Sequence, residues 1–288
     1  MEIRWILLVI LSATIHPVRE LLLKKANNPL ASYLGVAVIW LVLASFENIL
    51  LVKDLQLPRE CLPLILTSAL GLTIYYYGTL VAMKQGHLSI YYPIVRSSPI
   101  AIVIFSWLFL DKNYTDFTVI AIILIFLGAI MLQKTRFSFV SNKRALLFAL
   151  LAMIGSAGYS ISDAIAVQEI KPSVILFYCY TLVSLLLFVI FLLYNWDHQN
   201  ALLLLFSQWK IDQYPIVTAG IVSYCSYYLI LIAFELGGDP AAVSAVRQAS
   251  IPISVLLAAF FLRENETFRR IGWALLIASG IIILSISN

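Results

Sequence analysis

Charge is what this sequence has least of. Only 12% of its 288 residues are Asp, Glu, Lys or Arg, against roughly 25% in a water-soluble domain. So few charges cannot cover a globule facing water, and the 62% of hydrophobic residues would have nowhere to hide. The bilayer is the solvent this composition fits. Histidine and cysteine are scarce as well: His16, His87 and His198 lie far apart, and Cys61, Cys179 and Cys225 form no CxxC pair. That spacing excludes a sequence-local metal cluster. HExxH, GxSxG, aspartate pairs, and a Ser–Lys or paired-carboxylate arrangement within an apolar run are all missing. The sequence therefore predicts no catalytic residue, no metal ligand and no cofactor. The net charge of +4 is spread through short breaks between apolar runs, so no nucleic-acid face is expected. No small-x-small cleavage site follows the run Trp5–Ile15, which continues into His16, Pro17, Arg19 and Glu20. It reads as a retained first helix.

What the chain does have is apolar length. A helix crossing a core of about 30 Å needs about 20 mostly apolar residues. Windows of that kind fall near 3–23, 31–52, 62–83, 88–110, 116–133, 144–167, 173–194, 214–235, 240–262 and 268–286. Breaks such as Asn27-Asn28-Pro29, Asp111-Lys112-Asn113 and Lys171-Pro172 separate them. The one long break, 195–212, holds Ala201–Phe206 between Trp196 and Trp209 and reads as an interfacial stretch.

The second half echoes the first. Tyr76-Tyr77, Ala82, Gly86 and Val95-Arg96 recur 151 residues later as Tyr227-Tyr228, Ala233, Gly237 and Val246-Arg247. Leu110, Gly128 and Leu132 recur 152 later as Leu262, Gly280 and Leu284, while Ser12 and Pro29 correspond to Ser156 and Pro172. The expected fold is all-α and integral to the membrane, ten transmembrane helices as two five-helix repeats, 1–138 and 139–288. An odd number of helices per repeat inverts one copy relative to the other. Inverted repeats place a solute site near the midplane, at their interface.

Charges inside spans normally face a cavity or a partner. Arg96 and Arg247 fall near mid-membrane at equivalent repeat positions and should face each other. Arginine cannot discharge itself, so each needs an anion. Glu20 and Asp163, at equivalent positions of the first and sixth helices, are the candidates, as pairs Glu20–Arg96 and Asp163–Arg247. Such pairs either hold helices together permanently or open to a substrate anion. His16 lies one turn before Glu20 and Tyr159 one turn before Asp163; Tyr92 and Arg96 share the same spacing. His16 could relay a proton with Glu20. Tyr76, Tyr92, Tyr159, Tyr227, Tyr228 and Gln248 complete the expected substrate-binding set, and Arg19 joins Glu20, Asp163 and His16 as a proton-coupling or ion-pair candidate. Tyr75, Tyr91 and Glu47 read as interfacial. Pro93, Pro99 and Pro252 beside the arginines read as packing kinks or hinges.

The segment Leu11-Ser12-Ala13-Thr14-Ile15-His16 followed by Lys24-Lys25 and Pro29, and the segment Gly158-Tyr159-Ser160-Ile161-Ser162-Asp163 opening the second half, resemble bacterial drug/metabolite transporters of the EamA type. The resemblance covers the whole chain. Many relatives place Trp-Asn where this chain has Arg19 and Glu20. The resemblance implies a secondary active carrier of small metabolites in the cytoplasmic (inner) membrane, multi-pass, often an exporter coupled to protons or exchange, and without cofactor. The central arginines favour an anionic or zwitterionic solute; small organic cations in a tyrosine-lined cavity are the alternative. A polytopic enzyme or a non-transporting scaffold stands as a further rival. The expected partners are the solute and the lipid bilayer, with the chain a monomer or homodimer. Orientation divides the two arguments. Loops on the side opposite the N-terminus carry eleven Lys and Arg against five, which votes for that side as cytoplasmic, whereas the resemblance implies the reverse, with both termini cytoplasmic.

Overall fold

The computed structural model describes residues 2–23, 27–52, 55–85, 94–133, 142–196, 200–250 and 267–287. The described residues fold into helices joined by short turns: α1 (Glu2–Leu23), α2 (Pro29–Glu47, continued by a π-helical turn Asn48–Val52), α3 (Leu62–Gln85, after a 3-10 turn Arg59–Cys61), α4 (Ser98–Phe109) and α5 (Asp116–Gln133). The second half gives α6 (Lys143–Ala166), α7 (Pro172–Tyr194), a short α8 (Ala201–Ile211), α9 (Gln213–Glu235), α10 (Pro240–Val246, then a 3-10 turn Arg247–Ala249) and α11 (Thr267–Ser287).

The breaks seen in the sequence work as helix signals. Asn28 caps α2, its side-chain oxygen accepting from the Ala31 amide, and Pro29 takes the first-turn position where its missing N–H costs nothing. Asn142 caps α6 and Asp239 caps α10 in the same way. Gly237, at φ +89°, ends α9: its amide bonds the Phe234 carbonyl and the Gly238 amide bonds the Ala233 carbonyl, both at 2.9 Å. A side chain at that φ would be strained. Asp239 does a second job by pairing with Lys112 across the repeats. Asp239→Ala is expected to cost about 1 kcal/mol from the lost cap, with Asp239→Asn recovering most of it. Thermal unfolding of the detergent-purified protein reads the difference; equal losses in both variants would assign the effect to the ion pair instead.

Five helices among the described residues are long and apolar enough to cross a membrane, spanning Pro29–Leu50, Arg59–Ala82, Lys143–Ala166, Pro172–Tyr194 and Gln213–Glu235. Shorter apolar helices accompany them, including Ser98–Phe109 and Asp116–Gly128. The expected spans 88–110 and 240–262 are not continuous where described: a turn at Arg96-Ser97 precedes α4, and α10 gives way to a 3-10 turn at Arg247. Ser98-Pro99 opens α4 because Pro99 has no amide to donate backwards. Pro93, Tyr91, Tyr92 and Pro252 lie outside the described residues. The 195–212 break contains α8, which packs on α2 through Trp209, whose indole donates to the Ala31 carbonyl at 2.8 Å; Trp196 is exposed.

Packing follows an exchange of the two halves. α1 lies against α9 and α3 against α6, while α2 pairs with α7, α4 with α10 and α5 with α11. Swapping the repeats maps each of these contacts onto another in the set or onto itself, as a two-fold relation demands. The α5–α11 contact repeats this at atomic detail. A Cβ on Gly128 would meet Ile277 and the Trp273 carbonyl; one on Gly280 would meet Ile125 and the Ala121 carbonyl, each contact being the other's image at an offset of 152. At the centre the two images differ in chemistry. α3 and α6 cross through Gly71 and Gly155, each carbonyl under 3 Å from where the other's Cβ would sit. α1 and α9 cross through a hydroxyl pair, Ser12 bonding the Ser226 carbonyl at 2.7 Å and its hydroxyl at 2.8 Å.

Candidate functional site: a cationic cavity walled by tyrosines

Where α1, α2, α3, α6, α7, α9 and the Arg247 turn converge, they leave a small cavity. Its basic wall is His16, Arg19 and Arg247; its aromatic wall is Trp40, Tyr75, Tyr76, Tyr159, Tyr180 and Tyr227, with Leu72, Ser223 and Ser226 completing it. In this conformation it has room for about one or two water molecules.

The rings are braced, not loose. Trp40 donates from its indole to the Ser223 hydroxyl at 2.9 Å and stacks on Tyr180 at 4.3 Å between centroids. Tyr180 and Tyr76 share a hydrogen bond of 2.9 Å. Tyr159 lies between Tyr75 and Tyr227 at 5.9 and 6.0 Å, near edge-on to each. Such geometry is favourable for aromatic pairs and presents their faces to whatever enters.

Two cations sit on that frame. Arg247 donates to the Tyr159 hydroxyl at 3.3 Å and lies over the Tyr227 ring, 5.8 Å from its centroid. Arg19, buried, lies over Tyr76 at 5.5 Å and Tyr33 at 5.2 Å. No carboxylate is among the described residues that line the cavity. Arg247 itself makes no ion pair with any described residue; among those residues its charge is met by a phenol and a ring face.

Several expectations need correcting. Asp163 does not pair with Arg247: its carboxylate accepts from the Tyr227 hydroxyl instead, so the ring of Tyr227 stands between the two charges. Asp163 is fully buried behind the cavity wall, and its other oxygen makes no hydrogen bond among the described residues. The position equivalent to Asp163 in α1 is Arg19, not Glu20. Arg19 touches Tyr76 as Asp163 touches Tyr227, and those tyrosines are repeat images. The Ser12–Ser156 correspondence gives the same register. The side chain of Glu20, and all of Tyr92, lie outside the described residues, so the expected Glu20–Arg96 pair does too. Tyr228 does not line the cavity; its hydroxyl and that of Tyr224 donate to Glu47. Gln248 is buried off the cavity, its amide donating to the carbonyls of Arg96 at 3.2 Å and Ser244 at 3.3 Å. That contact brings the two arginine-bearing turns together, but through the Arg96 backbone, and Arg96 is not on the cavity wall with Arg247.

His16, Arg19, Tyr76, Tyr159, Tyr227 and Arg247 do share one cavity. Trp40, Tyr180, Ser223 and Ser226 were not foreseen, and Tyr75 was read as interfacial. Hydropathy counts Trp40 as apolar whichever way it faces, so nothing in the string separated it from a lipid-facing residue. The seryl pair offered a fainter signal, since Ser223 and Ser226 stand one turn apart beside Tyr224 and Tyr227.

A polytopic helical bundle built from two exchanged halves, with a polar cavity between them, is the architecture of a membrane transporter. The profile of the EamA-like transporter family matches residues 3–133 and again residues 143–286, and the chain belongs to that family. It is a membrane protein and a transporter of small molecules by that membership. A solved structure described as "Crystal structure of protein" shares the fold at a TM-score of 0.77, with 16% identity over 99% of this chain and 97% of that one. No curated protein matches the chain.

Proposed function

We propose that this chain is a secondary active carrier whose central cavity holds a small solute by an anionic group set on Arg247 and an organic body set among Tyr76, Tyr159, Tyr227 and Trp40. The observation that carries the reading is the charge state of the wall: Arg247 faces the cavity with no carboxylate partner among the described residues. A cation held in a low-dielectric interior is costly until an anion meets it, so the free site favours an anionic or zwitterionic solute. Arg19 on the same wall adds to the field.

The transport cycle proposed is alternating access by two inverted five-helix repeats, ten spans in all, divided near 1–138 and 139–288, in the cytoplasmic membrane. Export coupled to protons or to exchange follows the family resemblance. His16 is the proton candidate on the cavity wall, and Asp163, held off Arg247 by Tyr227, is a reserve anion that pairs with it if that ring turns.

A thermal-shift screen of the purified protein against amino acids, phosphorylated metabolites and quaternary amines tests the charge assignment. Stabilisation by acids or zwitterions alone is expected. Stabilisation confined to quaternary amines would overturn the anionic reading and favour the tyrosine wall as a cation site.

A further inference from the structure

One end of the bundle carries the turns at 111–115, 167–171 and 236–239, and there the repeats are tied at three places. Outermost is the Lys112–Asp239 pair. Next, the Asn48 amide donates to the Ser173 carbonyl and its oxygen accepts the Ser173 hydroxyl, both at 2.9 Å. Third, the half-buried Glu47 carboxylate of α2 accepts two hydroxyls from α9, Tyr224 at 2.8 Å and Tyr228 at 2.6 Å. Glu47 lies two helical turns beyond Trp40, about 10 Å along α2 towards this end. Tyr224 in turn stands edge-on to Trp40 at 5.8 Å, and Trp40 is cavity wall. The carboxylate thus lies between Trp40 and this end of the bundle, with Tyr224 bridging it to the cavity wall.

The repeat supplies no second copy. Tyr228 corresponds to Tyr77, and Glu47, by the Pro29–Pro172 register, to Ile190. Tyr77 rests edge-on against the Phe148 ring at 6.0 Å, with no hydrogen bond among the described residues. One end thus has a charged acceptor and two phenols, while the equivalent position at the other shows an apolar contact among the described residues, the polar Lys84–Tyr194 hydrogen bond of 2.9 Å lying one to two turns further out. These two kinds of closure respond differently to water. A clasp of hydrogen bonds to a carboxylate can be exchanged for hydration when the helices part, because water offers the same bonds. Apolar contact has no such replacement.

We infer that Glu47, Tyr224 and Tyr228 form the inner gate of the carrier at the Lys112 end, a carboxylate clasp whose repeat-equivalent position, among the described residues, makes an apolar contact instead. This rests on the carrier reading above and adds to it that the two openings are controlled by unlike chemistry.

The test uses Leu72→Cys, a cavity-wall position, as a reporter in the full chain. Sealed vesicles of both orientations are treated with a membrane-impermeant maleimide, and the parent chain gives the background from its native cysteines. Removing both phenol hydroxyls (Tyr224→Phe with Tyr228→Phe), or the acceptor (Glu47→Ala), is expected to raise the labelling rate from the Lys112 end on the order of tenfold. Tyr77→Phe is expected to change neither end. A lower melting temperature with unchanged labelling would show that the clasp only holds helices together, and overturn the gate. So would an equal rise from Tyr77→Phe. Should Leu72→Cys react from neither end in any variant, the carrier reading itself fails; reaction that ignores the clasp variants removes the gate alone.

Discussion

Arg247→Met is expected to abolish solute-induced stabilisation and to reduce binding on the order of 100-fold or more, the range found when one partner of a buried charge pair is truncated. The argument is electrostatic. In the empty site the guanidinium leans on one phenol, Tyr159, and one ring face, Tyr227, neither of which carries a full negative charge. On the proposed reading the solute's anionic group supplies the other half of the pair, and methionine would leave it buried and unpaired. Arg247→Lys keeps the charge but loses the planar fork that reaches Tyr159 and lies flat on Tyr227, so partial binding is expected. Tyr159→Phe removes one hydrogen bond and should weaken binding by about 1 kcal/mol, under tenfold. Arg96→Met is expected to matter less, since Arg96 is off the wall and meets Gln248 through its backbone carbonyl. Isothermal titration with the solute found by the screen ranks the four. Undiminished affinity in Arg247→Met would remove the arginine from the site.

The sequence was informative wherever the physics is one-dimensional. Hydropathy located α3, α7 and α9 within a few residues, while Asn28 and Pro29 marked the start of α2 and Pro172 that of α7, because caps and first-turn prolines act over one turn. The offset of 152 between Gly128 and Gly280 anticipated two contacts that are images of one another. What the string could not carry is direction. Ser12–Ser156 and Pro29–Pro172 give offsets of 144 and 143, and one residue of slippage turns a helical side chain by about 100°. That single step decides whether Arg19 or Glu20 is the counterpart of Asp163, and only the shared contact with Tyr76 and Tyr227 resolves it. Glu47 and Tyr75 were misplaced for a related reason. A polar residue near a helix end looks interfacial by depth alone, yet α9 reaches Glu47 with two phenols and α6 brings Tyr159 to Tyr75. The turns at Arg96 and Arg247 escaped too, because a hydropathy window sums composition and is blind to a broken ladder.

The second large effect falls on folding, and it divides two glycines three residues apart on the same helix. Gly155 sits where α6 crosses α3, and a Cβ there would stand 2.6 Å from the Gly71 carbonyl and 3.0 Å from the Tyr75 amide. Both obstacles are backbone, so no rotamer change relieves them, and the helices must separate. Lipid offers no compensating hydrophobic drive between helices, which makes close approach at small residues the main source of their association. Gly155→Val is therefore expected to destabilise by about 3 kcal/mol or more, a large fraction of a typical stability of about 5–15 kcal/mol. Because Tyr75 and Tyr159 ride on those two helices, the same separation should open the cavity wall and lower solute affinity. Gly158 has nothing within 4 Å of its would-be Cβ. Gly158→Ala should be neutral or stabilising, by up to about 1 kcal/mol from helix propensity. Unfolding midpoints of the two variants in detergent decide the matter: comparable losses would mean that α3 and α6 do not meet through their backbones at Gly71 and Gly155, and the frame that holds Tyr159 against Arg247 would have to be redrawn.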